Sequence, residues 1–141
     1  MRKAIVGVAA IVCISVILYV SYDSLYGFLR PHPNFEISAD PDSVLLRSYK
    51  GSSNATAIIV KSINGFSGEV SIKLEKSFGM MGDIWFDLDS YDLRVPPDGQ
   101  DQCELSLLVV SFVTAGDYYV DVVATSGQVE HSVRILITVF S

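Results

Sequence analysis

The stretch Glu69–Lys76, EVSIKLEK, decides the fold class of this chain. Val70, Ile72 and Leu74 alternate with charged or hydroxyl side chains, so the apolar groups fall on one face of an extended strand. A helix would need its apolar residues three and four positions apart. The stretch therefore predicts a β-strand with one buried face and one face in solvent.

The same period of two continues along the chain on both sides of this strand. Further strands are predicted at 35–39, 43–49, 55–62, 84–88, 92–95, 103–112, 117–125 and 129–139. Turn residues such as Asp40-Pro41-Asp42 and Asn64-Gly65 separate them. Roughly seven to nine short strands, with no helical pattern after Leu29, predict an all-β chain folded as an antiparallel β-sandwich.

The core of this sandwich is expected to consist of aliphatic side chains. The predicted members are Ile59, Ile72, Leu107, Val120 and Val122. Cys103 is predicted to be a small buried side chain. Trp85 follows the break Gly79-Met80-Met81-Gly82 and is not expected to anchor the core.

The N-terminal segment Ala4–Tyr22 has a different character, with nineteen residues and no charge. At about 1.5 Å per residue, a helix of this length spans roughly 28 Å, which is close to the hydrocarbon thickness of a bilayer. Arg2 and Lys3 precede the segment and Asp23 follows it. The positive-inside rule therefore predicts a single transmembrane α-helix with a cytoplasmic N-terminus and an extracellular C-terminal domain.

These patterns divide the chain into four parts. They are a cytoplasmic terminus at 1–3, a transmembrane helix at 4–22, a juxtamembrane linker with prolines at 23–34, and the sandwich at 35–141. The linker contains Pro31-His32-Pro33, which favours an extended, stiff spacer.

Two other interpretations of the N-terminal segment are considered. A removable signal peptide needs small residues before its cleavage site, and Tyr19, Tyr22 and Leu25 occupy those positions for the available sites. Lys3-Ala4 resembles the cleavage junction of archaeal pilins, which combine a polymerising N-terminal helix with a β-sandwich head. A pilin-like filament subunit is therefore the alternative to a membrane-anchored surface domain.

Four short motifs in the folded part carry a resemblance to a known family. They are Gly65–Val70, Val95–Gly99, Gly116–Val120, and Gly127 with His131-Ser132. With these motifs, 40–139 resembles the immunoglobulin-like domains of archaeal and bacterial cell-surface proteins. The resemblance implies a structural, adhesive or interaction role at the cell surface.

The resemblance also implies a particular structural role for Tyr118 and Gly116. Tyr118 matches the tyrosine corner of such sandwiches, in which the phenol hydroxyl bonds back to the preceding backbone. Val120 stands where antibody-type domains have a cysteine, so the usual disulfide between the sheets is missing.

Composition excludes several classes of function. The net charge is -6, from 16 acidic and 10 basic residues, so nucleic acid is not an expected partner. The expected partners are the lipid bilayer, through the N-terminal helix, and another protein or a second copy of the chain, through the sandwich. The acidic stretch 83–101 and the edge of the last strand are the candidate binding regions, because both are expected to be exposed.

No catalytic motif is present, and neither an enzyme nor a cofactor is predicted. His32 and His131 lie far apart, and the two cysteines do not form a zinc-type spacing. Asp87 and Asp89 fall on one strand face near Asp83 and Asp92, and are candidate calcium ligands. The alternative is a charged strand edge that prevents unwanted sheet pairing.

Asn54-Ala55-Thr56 is an acceptor sequence for N-glycosylation. It is expected to lie in an exposed turn before a strand. Asn54 is therefore the candidate glycosylation site if the domain is extracellular.

Overall fold

The computed structural model describes residues 32–77 and 83–141, and these residues form nine β-strands. The strands are β1 (Asn34–Asp40), β2 (Ser43–Arg47), β3 (Ser53–Ile63), β4 (Gly68–Lys76), β5 (Ile84–Leu88), β6 (Asp92–Val95), β7 (Gln100–Val109), β8 (Gly116–Ser126) and β9 (Val129–Phe140). All nine predicted strands are confirmed, with two matched at both ends and the others differing by at most three residues at an end. The largest difference is in β7, which ends at Val109 and leaves Phe112 in the following connection.

The strands form two sheets that pack face to face as a sandwich. One sheet has four strands in the order β1-β3-β7-β5, and the other has five in the order β2-β9-β8-β4-β6. Along each strand, buried side chains alternate with exposed ones, as in Ser43–Arg47 and Gly68–Lys76. The prediction of an all-β sandwich is therefore confirmed for the described residues.

The prediction of a purely antiparallel sandwich is wrong at β2. This strand runs parallel to β9, with Val44 opposite Ile137 and Leu46 opposite Val139. The turn after β1 does not make a hairpin, because it carries the chain from the four-stranded sheet to the edge of the other sheet. As a result the last strand is not an edge strand: β9 lies between β2 and β8.

The core lies between the two sheets and consists almost entirely of aliphatic side chains. Its largest members are Phe35, Leu46, Ile58, Ile84, Leu105, Leu107, Ile135 and Ile137. Each contributes about 1.5–3 kcal/mol when it is removed from water. Ile72, Leu107, Val120 and Val122 are buried as predicted, and so is Cys103.

The prediction that Ile59 belongs to the core is wrong. Ile58 and Val60 point inward, and Ile59 faces outward opposite Gln102 on β7. In this strand both faces carry apolar residues, so the alternation that assigns inside and outside elsewhere gives no clear answer here.

The predicted turn at Asn64-Gly65 is confirmed, with φ values of 55° and 77°. Positive φ at both positions is the reason that Asn and Gly are preferred in such tight turns. The turn joins β3 in one sheet to β4 in the other, so it closes the sandwich and does not form a hairpin.

Several predictions concern residues outside the described ranges. These are the cytoplasmic terminus at 1–3, the transmembrane helix at 4–22, most of the linker, and the break at 79–82. Across 32–77 and 83–141, the search for a helix with the length and apolar character of a bilayer crossing finds none.

Candidate interaction surfaces

The chain enters the sandwich at one end, next to the beginning of β9. The side-chain oxygen of Asn34 lies 2.7 Å from Nε2 of His131. Phe35 packs its ring edge-on against the same histidine, with ring centroids 5.1 Å apart. His131 therefore joins β1 and β9 across the two sheets. We call this the entry end.

The opposite end carries exposed aromatic side chains, and we call it the far end. It is held together by backbone hydrogen bonds from Ser48 N to Phe140 O, 2.9 Å, and from Val113 N to Ser48 O, 3.0 Å. Tyr49 follows Ser48 in the chain and Phe112 precedes Val113, and their side chains are 56% and 70% exposed. Phe140 follows His131 by nine positions along β9, which places the two ends about 30 Å apart.

An apolar surface lies on the outer face of the five-stranded sheet, towards the far end. It consists of Leu45, Arg47, Tyr119, Leu136 and Phe140, and we call it the arginine patch. Leu136 lies directly opposite Tyr119, and Arg47 lies opposite Phe140. The exposed fraction is 60% for Leu45 and 45% for Leu136.

Two arginines lie over the aromatic rings of this sheet. The guanidinium of Arg47 is 4.7 Å from the ring centre of Phe140, and that of Arg134 is 3.8 Å from the ring centre of Tyr119. Such stacking holds a cation against an apolar surface. The two arginines differ in how their charge is compensated.

Arg134 forms two hydrogen bonds with Asp121, from Nε to Oδ1 at 2.8 Å and from Nη2 to Oδ2 at 3.1 Å. The hydrogen bonds from Arg134 lower the pKa of Asp121, so the carboxylate stays ionised and neutralises the arginine. Within the described residues, Arg47 forms no ion pair with a carboxylate. It is therefore the uncompensated cation of the arginine patch.

A second exposed surface, which combines apolar and acidic side chains, lies on the outer face of the four-stranded sheet. It consists of Trp85, Asp87, Glu104 and Leu108, and we call it the tryptophan patch. Trp85 is 69% exposed and lies directly opposite Leu108. Beside it is a shallow open groove of about 410 Å³ that is lined by Lys76, Trp85, Phe86 and Asp87. No ion pair between Asp87 or Glu104 and a cation occurs within the part of the chain that the structure describes.

The free edge of β2 is closed by side chains from β3 and the turn before it. Ser52 Oγ accepts a hydrogen bond from Arg47 N at 2.8 Å, and Asn54 Nδ2 donates one to Leu45 O at 3.1 Å. These bonds satisfy backbone groups that would otherwise be open to another strand. The exposed side chains of the arginine patch, and not the backbone edge beside them, are thus available to a partner.

The predicted calcium ligands do not converge. Asp83 accepts a hydrogen bond from Ser111, Asp89 from the backbone of Glu104, and Asp92 from Ser71. Asp87 is exposed on the outer face of β5. Among residues 32–77 and 83–141, no three side chains of the metal-binding types lie close enough together to hold an ion.

Asn54 does not lie in a turn, as the sequence predicted, but in β3. Its side chain is exposed and makes two local hydrogen bonds, to Leu45 O through Nδ2 and from Ala55 N through Oδ1. Thr56, the third residue of the acceptor sequence, is buried, and its hydroxyl donates to Pro41 O. The side chain of Asn54 therefore links β3 to β2, and that of Thr56 links β3 to the connection between β1 and β2.

Tyr118 and Gly116 lie at the start of β8. The Tyr118 hydroxyl donates a hydrogen bond to Thr114 O at 2.7 Å, across the connection that precedes the strand. Gly116 lies between them in sequence with a φ of 156°, a conformation that favours glycine. This hydrogen bond fastens the connection between β7 and β8.

Cys103 is 3% exposed and belongs to the core. Burial and, to a smaller extent, the nearby carboxylates of Asp89 and Asp101 together raise the pKa of its thiol to about 11. The thiol therefore remains protonated at neutral pH and is a poor nucleophile.

Sequence reasoning missed both patches, although signals for parts of them are present. Leu136 and Phe140 face outward in β9, but most residues of this strand are apolar or carry a hydroxyl. The alternation of polar and apolar residues therefore does not show that these two side chains are exposed. The pairing of Arg47 with Phe140 depends on the parallel contact between β2 and β9, which the sequence did not predict.

Comparisons with known proteins establish the fold of this chain. No family model matches it, and no curated protein matches it. Domains 4 and 5 of the S-layer protein SbsC align with a TM-score of 0.50 and 16% identity, covering 78% of this chain and 54% of that structure. The chain thus spans about half of the S-layer structure it matches.

Two further solved structures share the same arrangement. A FixG-related protein from Vibrio parahaemolyticus aligns with a TM-score of 0.54 and 10% identity, over 77% of this chain and 97% of that one. A family 123 glycoside hydrolase from Clostridium perfringens aligns with a TM-score of 0.55 and 9% identity, over 75% of this chain and 27% of that one. At these identities the class that is established is a β-sandwich domain.

Proposed function

We propose that this chain is a single-pass membrane protein that presents one immunoglobulin-like sandwich at the outer cell surface, with a structural or interaction role. The observation that carries the proposal is that an apolar segment long enough to cross a bilayer is followed, after a short linker, by a β-sandwich. A charge-free segment of nineteen residues, Ala4–Tyr22, precedes a folded sandwich that begins at Asn34. A segment of this kind favours a bilayer over water, and the sandwich is built for an aqueous environment.

Two features support a structural role. The fold is shared with domains 4 and 5 of an S-layer protein, and a structural role at the cell surface fits that similarity. In addition, two exposed surfaces, the arginine patch and the tryptophan patch, contain large apolar and aromatic side chains. Such surfaces are typical of protein contacts, in which aromatic residues and arginine are enriched.

We also propose that the chain is not an enzyme and that its partners do not include nucleic acid. In support of the first point, the Cys103 thiol has a raised pKa, and three of the four aspartates considered as calcium ligands are engaged in local hydrogen bonds. In support of the second, the chain has a net charge of -6.

The experiment that tests anchoring is extraction of native membranes at alkaline pH, followed by mass determination of the N-terminus. An anchored protein stays in the membrane fraction and retains Arg2 and Lys3. A protein that washes off with these residues still attached contradicts the proposal.

The same experiment examines the pilin-like alternative, which rests on the Lys3-Ala4 junction. A pilin-like subunit would begin at or near Ala4 and would be recovered in filaments sheared from the cells. Intact Arg2 and Lys3 reject the alternative, and sheared filaments that contain the chain reject the anchor.

Glycosylation of Asn54 is a further part of the proposal. Its side chain is exposed, but Thr56 of the same acceptor sequence is buried. We therefore expect modification before the sandwich has folded. Mass spectrometry of the peptide that contains Asn54, from native material, tests this point, and an unmodified peptide contradicts it.

A further inference from the structure

We propose that the arginine patch of one copy of this chain binds the tryptophan patch of a second copy, and that the contact repeats to form a row. The inference rests on the proposed structural function at the cell surface and specifies its partner. It follows from the apolar character, the charge and the position of the two patches.

The apolar character of both patches supplies the driving force for association. Trp85 is 69% exposed, and Leu45 is 60% exposed on the other face. A tryptophan buries roughly 150–250 Å² when it is covered, and aromatic side chains of this kind anchor protein interfaces. Each patch therefore exposes a large apolar group that a partner surface would remove from water.

The charges determine which patch binds which. In the described part of the chain, Arg47 has no ion pair in the arginine patch, and Asp87 and Glu104 have none in the tryptophan patch. Asp117 lies on the same outer face as Arg47 but two strands away, where it accepts a hydrogen bond from Thr138. Lys76 lies beside Asp87 with its ammonium over the ring of Phe86. Contact between two tryptophan patches would still bring Asp87 and Glu104 of both copies together. Contact between unlike patches pairs Arg47 with a carboxylate, so the favoured contact is between different surfaces.

The positions of the patches allow the contact to repeat. They lie on the outer faces of different sheets, so they point in opposite directions from one sandwich. The two patches also lie at a similar distance along the strands from the entry end. Asn54 bonds to Leu45 of the arginine patch and pairs with Leu107, whose neighbour Leu108 belongs to the tryptophan patch.

A contact between two different surfaces does not close on itself as a two-fold dimer does, and it leads to an open row. Both patches lie towards the far end, whereas the chain enters at Asn34 at the entry end. A row can therefore form with every entry end on the same side. Such an arrangement is compatible with N-terminal anchors in one membrane.

Disulfide trapping with the purified full chain in a mild detergent tests the geometry. In a Cys13→Ser background, Leu136→Cys is placed in the arginine patch and Leu108→Cys in the tryptophan patch. Cys103 stays in place, because it is buried in the core. Under mild oxidation, the chain with both new cysteines is expected to give a ladder of linked oligomers, and each single variant is expected to stay largely monomeric.

Charge reversal tests the pairing of Arg47 with the tryptophan patch. Arg47→Glu and Asp87→Arg are each expected to weaken association by roughly five- to tenfold in sedimentation measurements. The variant with both changes restores opposite charges between positions 47 and 87, with Glu104 unchanged, and is expected to recover most of the association. Tyr91→Ser is the control, because Tyr91 is 53% exposed and lies outside both patches.

Three outcomes overturn the inference. In the first, the single variant Leu136→Cys forms linked oligomers as efficiently as the variant with both new cysteines. In the second, the variant with Arg47→Glu and Asp87→Arg does not recover association. In the third, the full chain stays monomeric in all assays. Near-ultraviolet circular dichroism of each variant shows whether the sandwich is still folded. If a charge reversal unfolds it, the neutral substitution at the same position, Arg47→Gln or Asp87→Asn, is used instead. If the sandwich faces outside the cell but stays monomeric, the inference fails and the proposed function stands.

Discussion

Tyr118 shows how a single hydroxyl fastens the connection before β8. Its hydrogen bond to Thr114 O is the contact that the resemblance to immunoglobulin-like domains implies, and Tyr119 beside it faces outward. Tyr118→Phe removes the hydroxyl and leaves the ring in place. We expect a loss of about 1 kcal/mol in the free energy of unfolding, measured with urea. Tyr119→Phe is the matched control, and an equal loss in both variants would show that the hydrogen bond contributes nothing specific.

The Cys103 thiol makes stability depend on pH in the alkaline range. Its pKa in the folded chain is about 11, above the ordinary value of 9.0 for a cysteine thiol, because the thiol is buried. Burial of the protonated thiol therefore stabilises the fold below pH 9, and this contribution is lost as the pH rises towards 11.

We expect the stability difference between the native chain and Cys103→Ala to be constant from pH 7 to about pH 8.5 and to decline above pH 9. Denaturant unfolding at a series of pH values measures this difference. A difference that stays the same up to pH 11 would mean that the thiol titrates normally in the folded chain. The comparison with Cys103→Ala removes the contributions of lysines and tyrosines, which both proteins share.

At the scale of the strands, the sequence determined where the strands are but not how they are connected. Alternation in stretches such as Glu69–Lys76 identified all nine strands, and the φ values at Asn64-Gly65 agree with the turn expected from those two residues. Neither pattern specifies which sheet a strand joins. The parallel contact of β2 with β9 depends on the path of the chain after Asp40, and that path is a property of the packed sandwich.

The same limit explains the two patches. A side chain's face can be predicted where polar and apolar residues alternate, and Ile59 shows the error that arises where they do not. The positions of Leu45 beside Leu136, and of Trp85 opposite Leu108, follow from the order and register of the strands. These contacts could therefore not be predicted from the sequence. The hydrogen bond of Tyr118 lies within a short local motif, and such a motif can be recognised in the sequence.

The protection of the β2 edge is a property of this element that can be measured directly. Arg47 N donates to Ser52 Oγ at 2.8 Å, and Ser48 N donates to Phe140 O at 2.9 Å in the neighbouring strand. Ser52→Ala removes only the first acceptor. We expect faster amide hydrogen exchange at Arg47, with little change at Ser48, in exchange measured by nuclear magnetic resonance. Equal acceleration at both amides would indicate general loosening of β2 and would contradict a specific role for Ser52.

At the scale of the whole molecule, association between copies should depend on salt. The proposed contact pairs Arg47 with carboxylates at a surface, and screening becomes strong as the Debye length falls from about 10 Å at 0.1 M salt to about 3 Å at 1 M. We expect the mean assembly size of the full chain to fall over this range, as measured by sedimentation velocity. An assembly size that grows steadily with salt would indicate a purely apolar contact.

The arrangement of the molecule at the membrane is the central claim. We propose, from the charge-free segment at Ala4–Tyr22 with Arg2 and Lys3 before it, that the sandwich lies outside the cell, as the positive-inside rule predicts. Protease treatment of intact cells, followed by N-terminal sequencing of the fragments that remain in the membrane, tests this directly. The account predicts that the sandwich is cut from intact cells and that a membrane fragment beginning at the native N-terminus remains. A chain that is protected in intact cells and degraded only after lysis would contradict it.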